Sequence, residues 1–200
     1  MFLGTFKEYV ESLRASITSL NVHQLPRHSF NLGYYIYIIL DANKIDGMID
    51  LANCSLPLVN CNQNALIDTL KDACIYVGMG KNVRKFIHAI RAKKDMHDIE
   101  ANSLCPNSKA IIRQWYNSSS IIIHQMPTEV TSLEAHCREY ALIKAIGLGK
   151  LSNRINGASY GVMRDSWNVF EVTNFGTMLL YNAMHDLLSD LPFKITEHEI

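Results

Sequence analysis

The sequence predicts an α/β (α+β) domain of three strands flanked by helices, with extra helices at both ends. Three observations predict it. β-Formers run together at Tyr34–Leu40, Ile75–Val77 and Ser120–His124. Apolar residues recur at helical spacing over 5–19, 131–146 and 175–191. The 200 residues, 48% hydrophobic and 19% charged, suffice for one folded core and show no internal repeat.

Taken in order, Phe6, Val10, Leu13 and Ile17 mark the first helix, and Thr5 with Glu8 forms a capping box before it. Residues 1–30 are read as an N-terminal helical extension of a domain spanning 31–200. Tyr34–Leu40 is apolar or aromatic on both faces, as expected of a central strand covered on both sides. The Asn-rich stretch 42–72, with Gly47 and Pro57, reads as an irregular insertion, and 64–72 is its better helix candidate.

Ile75 and Val77 alternate into Gly78 and Gly80, which reads as a strand ending in a glycine turn. Asn82 then caps a helix. Ser108–Tyr116 reads as a short helix and Ser120–His124 as the third strand, closed by Pro127. Thr131 and Glu134 form a second capping box, opening a helix that Gly147 and Gly149 stop. The last helix, Phe175–Leu191, carries the stripe Leu180, Met184, Leu187 and Leu191.

Lysine plus arginine equal aspartate plus glutamate at 19 each, so no global field draws this chain to a polyanion. Residues 81–94 nevertheless hold six cations and no acid. Arg84, His88 and Arg91 fall at i, i+4 and i+7 on one helix face, an arrangement suited to nucleic-acid phosphates. The five cysteines at 54, 61, 74, 105 and 137 form no C-x-x-C pair, so neither a disulfide framework nor a structural zinc site is expected. Reduced thiols fit an intracellular compartment. The N-terminus turns polar too early for a signal peptide, and no apolar run approaches a membrane span.

Glu139 falls among core-facing Ala135, Leu142, Ile143 and Ile146. A carboxylate drawn out of water needs a paired cation, for which Arg138 or Arg84 are at hand, or a metal. Magnesium is commonly held by one or two carboxylates, with water and phosphate oxygens completing its shell.

Tyr35-Ile-Tyr37 followed by Ile-Ile-Leu-Asp41, then Tyr76-Val-Gly78, resembles the two half-motifs of the GIY-YIG endonuclease superfamily. Arg84 with His88, Glu139 in Arg-Glu-Tyr-Ala-Leu-Ile and Asn153 in Leu-Ser-Asn follow in family order. Glu134–Gly161 and Phe175–Ile200 extend the resemblance to the nuclease domain of animal ankyrin-repeat and LEM-domain endonucleases, over roughly residues 30–200. Three departures stand out. Tyr35 replaces the first glycine, Met79 replaces a frequent lysine, and neither ankyrin repeats nor a LEM domain lies within the chain.

The resemblance implies a small, mainly antiparallel sheet and a metal-dependent DNA endonuclease. It would leave a 5′-phosphate and a 3′-hydroxyl, act on branched or bent DNA, and serve DNA repair in a nuclear or nucleo-cytoplasmic setting. Glu139 would hold one divalent ion, Mg²⁺ or Mn²⁺, and Arg84 would pair with the phosphate. Tyr37 would orient or deprotonate water if Arg84, Lys81 and the metal lower its pKa. Tyr76 would bind water or phosphate, His88 is a second base, and Asn153 would bind phosphate or steady Glu139. Lys81, Lys85, Arg91, Lys93 and Lys94 would contact DNA. Two alternatives are a non-catalytic nucleic-acid-binding module and an interaction protein docking through an exposed apolar stripe over 180–191.

Overall fold

The computed structural model describes residues 4–20, 29–54, 63–96, 104–126 and 129–200. Helix α1 (Phe6–Thr18) starts at the predicted capping box, Thr5 accepting from the Glu8 N–H and Glu8 from the Thr5 N–H. Tyr9, Leu13 and Ile17 are its buried face. Tyr9 stacks on Phe175 at a centroid distance of 5.8 Å, which packs α1 into the same core as the final helix.

Strand β1 (Tyr35–Asp41) is central and buried over six of its seven residues. Ile36, Ile38 and Leu40 enter one core, and Tyr35, Tyr37 and Ile39 enter a second core on the other face. The connector 42–72 is more regular than expected. It forms α2 (Ala42–Cys54) and opens α3 (Gln63–Ala73), while Pro57, Asn60 and Asn62 lie outside the described residues. Buried Ala42, Ile45 and Met48 give α2 its inner face at three-residue spacing, a signal hidden among asparagines.

Strand β2 (Cys74–Gly80) runs through both glycines instead of turning at them. Neither glycine has positive φ. They are required for space, as described below. A 3₁₀ turn (Asn82–Phe86) leads into α4 (Ile87–Asp95), so one regular helix does not carry Arg84 and His88. Asn82 does not cap: it stands inside the turn at φ +51°, in the left-handed region. Helix α5 (Pro106–Tyr116) has proline in its first turn, where a missing N–H costs nothing. Strand β3 (Ile121–Gln125) follows, and Pro127 lies outside the described residues.

Helix α6 (Ser132–Ile146) is capped by Thr131, which accepts from the Glu134 N–H, and ends at Gly147 with φ +96°. Only half of the predicted capping box forms, because the Glu134 carboxylate binds Arg138 and Arg14. The short α7 (Val162–Asp165) precedes α8 (Val169–Ser189). Leu180, Met184 and Leu187 are buried, whereas Leu191 lies beyond the helix and is 90% exposed. The exposed 180–191 stripe required by the docking alternative is therefore absent.

The sheet has four antiparallel strands in the order β2-β1-β3-β4, one more than expected. Strand β4 is Lys194–Ile195, paired with Ile121–Ile122 and too short to carry an alternating pattern. Trp115 Nε1 donates to the Ile195 carbonyl, tying this edge to α5. Helices α1, α2, α3, α6 and α8 serve the first core, and α4 and α5 cover the second. Among the described residues no helix is long and apolar enough to cross a membrane.

Candidate active site

Strand pairing sets Tyr37 opposite Gly78 and Ile39 opposite Tyr76, so both tyrosines project from the same sheet face. Their ring centroids lie 6.0 Å apart. A Cβ added at Gly78 would sit 2.7 Å from Tyr37 Cζ and 2.6 Å from Tyr76 Cε1, so only glycine admits both rings. Gly80 does the same for Arg84, whose Cβ and Cδ would lie 2.8 Å from an added Cβ. The half-motif glycines thus shape the site by what they lack.

Tyr35, which replaces a motif glycine, anchors the basic turn. Its hydroxyl donates to the Asn82 carbonyl and accepts the Lys85 N–H at 3.3 Å. Lys81 lies 4.4 Å over the Tyr34 ring. On the other side, α6 brings Glu139 to a cavity of about 640 Å³ that also includes Tyr76, Met79, Lys81, Arg84 and His136.

Glu139 is only 13% exposed, and its nearest ion-pair contact is His136 Nδ1 at 3.9 Å. Arg138 is committed elsewhere, to Glu134 at 2.6 Å. Burial raises the Glu139 carboxyl to about 7, against which the Arg84 charge works. Between its usual 4.5 and about 7, the folded protein holds one proton here that the unfolded chain has released. The contribution of this site to stability therefore falls as pH rises through that window. In EDTA, we expect the stability of Glu139→Gln relative to wild type to rise across the same window and then level off. Denaturant titrations at a series of pH values check this; a flat difference would mean that the carboxylate is not desolvated.

Burial also raises Tyr37 well above the ordinary phenol range, reinforced by Tyr76 and only partly opposed by Arg84. The Arg84 charge thus does not offset the burial. Burial and then Glu139 raise Tyr76 to about 12, while a hydrogen bond from Tyr37 and the Arg84 charge act in the opposite sense. His88 packs on Tyr76 with centroids 4.4 Å apart, and its Nδ1 lies 3.4 Å from Asn107 Nδ2. Burial, followed by Arg91 and Arg84, lowers His88 to about 4, so it is neutral at pH 7.

Tyr76, Arg84, Lys81 and Glu139 meet in one cavity; Tyr37 and His88 support Tyr76 from behind it. Asn153 stands at the free edge of β2, where Oδ1 accepts the Val77 N–H at 3.0 Å and Nδ2 donates to the Val77 carbonyl at 2.8 Å. Its amide holds the strand carrying Tyr76. Of the basic set, Arg91 and Lys94 are exposed on α4, Lys93 donates to the Ile200 carbonyl and Lys85 to Gln125. His136 was missed in the sequence, although it lies three residues before Glu139 and so shares its helix face.

Among the described residues no three His, Cys, Asp or Glu side chains cluster as a metal cage. A desolvated carboxylate with no Lys or Arg ion pair among the described residues still fits a hard divalent ion whose other ligands are water and phosphate.

A family model described as a LEM-3-like GIY-YIG domain matches residues 34–200. The chain is 25% identical over 174 residues to an ankyrin repeat and LEM domain-containing protein 1 homolog of Caenorhabditis elegans, covering 86% of this chain and 23% of that protein. It is 29% identical over 164 residues to ankyrin repeat and LEM domain-containing protein 1 of Mus musculus, covering 82% and 29%. Against the Homo sapiens protein of that name it is 24% identical over 163 residues, covering 78% and 25%. The chain thus matches about a quarter of the length of these relatives. No solved structure matches significantly.

Proposed function

The chain belongs to the LEM-3-like GIY-YIG nuclease family, and we propose that it is a metal-dependent endonuclease that hydrolyses phosphodiester bonds of branched or distorted DNA. The observation that carries this reading is Glu139, a desolvated carboxylate that shares a cavity with Arg84 and, among the described residues, has its ion-pair contact only to His136 at 3.9 Å. One Mg²⁺ or Mn²⁺ held there supplies charge stabilisation to the scissile phosphate and the leaving oxygen. Arg84 presents a planar fork to the non-bridging oxygens.

Tyr76 orients the attacking water through its hydroxyl. Tyr37, whose raised pKa keeps it protonated, positions Tyr76 and does not act as the base. His88, packed on Tyr76 behind the cavity and lowered to about 4, positions that tyrosine, and the proton the water gives up passes to solvent. Hydrolysis leaves a 5′-phosphate and a 3′-hydroxyl. Lys81, Arg91 and Lys94 contact flanking phosphates.

The preference for distorted DNA rests on the cavity rim. Val83 is 68% exposed and Ile87 42% exposed, apolar surface beside Arg84 where a phosphate gains nothing. Apolar side chains at such a rim pack against unstacked bases. A DNA substrate places the protein inside the cell, nuclear or nucleo-cytoplasmic. Free Cys74, Cys105 and Cys137 agree with that setting.

The rival reading is a binding module that keeps the fold without cutting, and Met79 on the cavity wall favours it. Cleavage of a labelled four-way junction and its matched duplex, each with Mg²⁺ and with EDTA, separates the two. Cutting of the junction in Mg²⁺ alone, with little duplex product, is expected. Binding in EDTA without products in Mg²⁺ would favour the rival, and equal cutting of both DNAs would end the distorted-substrate preference.

A further inference from the structure

Next to the catalytic cavity, at the opposite end of β2, lies a second concavity of about 680 Å³. Lys44, Lys109, Arg113, Lys150 and Arg154 line it, against the two carboxylates Asp41 and Asp72. In a chain whose formal charge is +0, this excess is local. Scattered solvated lysines would produce no such concentration in one hollow.

The cations fall into two groups. Asp72 fixes two of them: Lys150 contacts its carboxylate at 2.5 Å, and Lys44 donates to its carbonyl at 2.7 Å. Lys109, Arg113 and Arg154 form no salt bridge among the described residues. Lys109 and Arg113 stand at i and i+4 on α5, a like-charge spacing that disfavours the helix. An anion in the hollow offsets that cost.

The hollow is also fastened to the catalytic strand. Ser152 bonds the Ile75 carbonyl through its N–H at 2.8 Å and its hydroxyl at 2.9 Å, and Asn153 holds both polar groups of Val77. Lys150 and Arg154 flank this clamp. Cys74 and Ile75 line the hollow, and the next residue, Tyr76, lines the catalytic cavity. Helix α5 meets the basic helix α4 at Asn107 and His88.

We propose that this basic hollow is a second phosphate-binding site, holding the backbone of a DNA arm that flanks the scissile phosphate. The proposal rests on the nuclease reading and extends it. A junction or bend sends two arms away from the cut in different directions, and a site at each end of β2 grips both.

The test is the double variant Lys109→Glu/Arg113→Glu, with Lys109→Gln/Arg113→Gln as a milder partner should charge reversal impair folding. Binding of a labelled four-way junction is measured in EDTA over a salt series, and cleavage is measured in Mg²⁺ at saturating DNA. We expect Kd to weaken about tenfold or more at fixed salt, and the slope of log Kd against log salt to fall by about 2, as for two lost phosphate contacts. The saturated cleavage rate should stay within about twofold of wild type. Trimming the arms of the junction should erase the difference in Kd. An unchanged slope and Kd in both variants would overturn the proposal, as would a loss of saturated rate without a change in slope. Wild type that binds with the steep slope yet never cuts would sink the nuclease reading and leave this site standing. Wild type that cuts, with variants of unaltered slope, would do the reverse.

Discussion

Glu139→Gln is expected to lower the saturated rate of junction cleavage by ~10³-fold or more, equivalent to ~4 kcal/mol of transition-state stabilisation. The substitution keeps the shape of the side chain and removes only its charge. Since burial disfavours that charge, raising the carboxyl to about 7, the amide is easier to bury than the carboxylate it replaces. The variant should therefore fold at least as well as wild type at neutral pH. DNA affinity in EDTA should hold or improve, because one anion near the phosphate is gone. Loss of rate with binding intact separates a catalytic defect from a structural one. Circular dichroism, anisotropy binding in EDTA and single-turnover cleavage check the three parts.

Glu134→Ala, five residues earlier on the same helix, should do the opposite: unfold the protein by ~3–5 kcal/mol. Glu134 and Arg138 are 4% and 3% exposed and meet at 2.6 Å. Arg14, itself half exposed, adds a second contact at 3.0 Å. Removing the carboxylate leaves the Arg138 guanidinium buried without its counter-charge. The paired variant Glu134→Ala/Arg138→Met should recover much of the loss, since no charge is then stranded. Urea titration of the three proteins measures this. An effect of Glu134→Ala below ~1 kcal/mol would show that solvent reaches Arg138.

These two glutamates show how far the sequence could be read. Glu139 falls among the core-facing positions of its helix, where Arg138 or Arg84 could pair with it, and Glu134 reads as half of a capping box. The fold decides, because i to i+4 geometry gives Arg138 to Glu134 and leaves Glu139 to the cavity. Strand β1 was legible because it is apolar on both faces, and α6 because a threonine cap and a terminal glycine bound it. The glycines at 78 and 80 were visible, but their purpose was not. They make room for Tyr37, Tyr76 and Arg84, contacts made only once β1, β2 and the basic turn have come together. Asn153 was likewise visible as a polar residue in a loop, while its bonds to Val77 depend on β2 being an edge strand. Helix α2 was obscured by its asparagines, which face solvent while Ala42, Ile45 and Met48 face the core.

Glu139 as the metal-holding carboxylate is put to the test by cleavage of a labelled four-way junction by wild type and Glu139→Gln in parallel, with Mg²⁺ and with EDTA. Product is expected only from wild type with Mg²⁺, with binding in EDTA by Glu139→Gln no weaker than by wild type. Cutting by Glu139→Gln at the wild-type rate would contradict this assignment and place the chemistry outside this cavity.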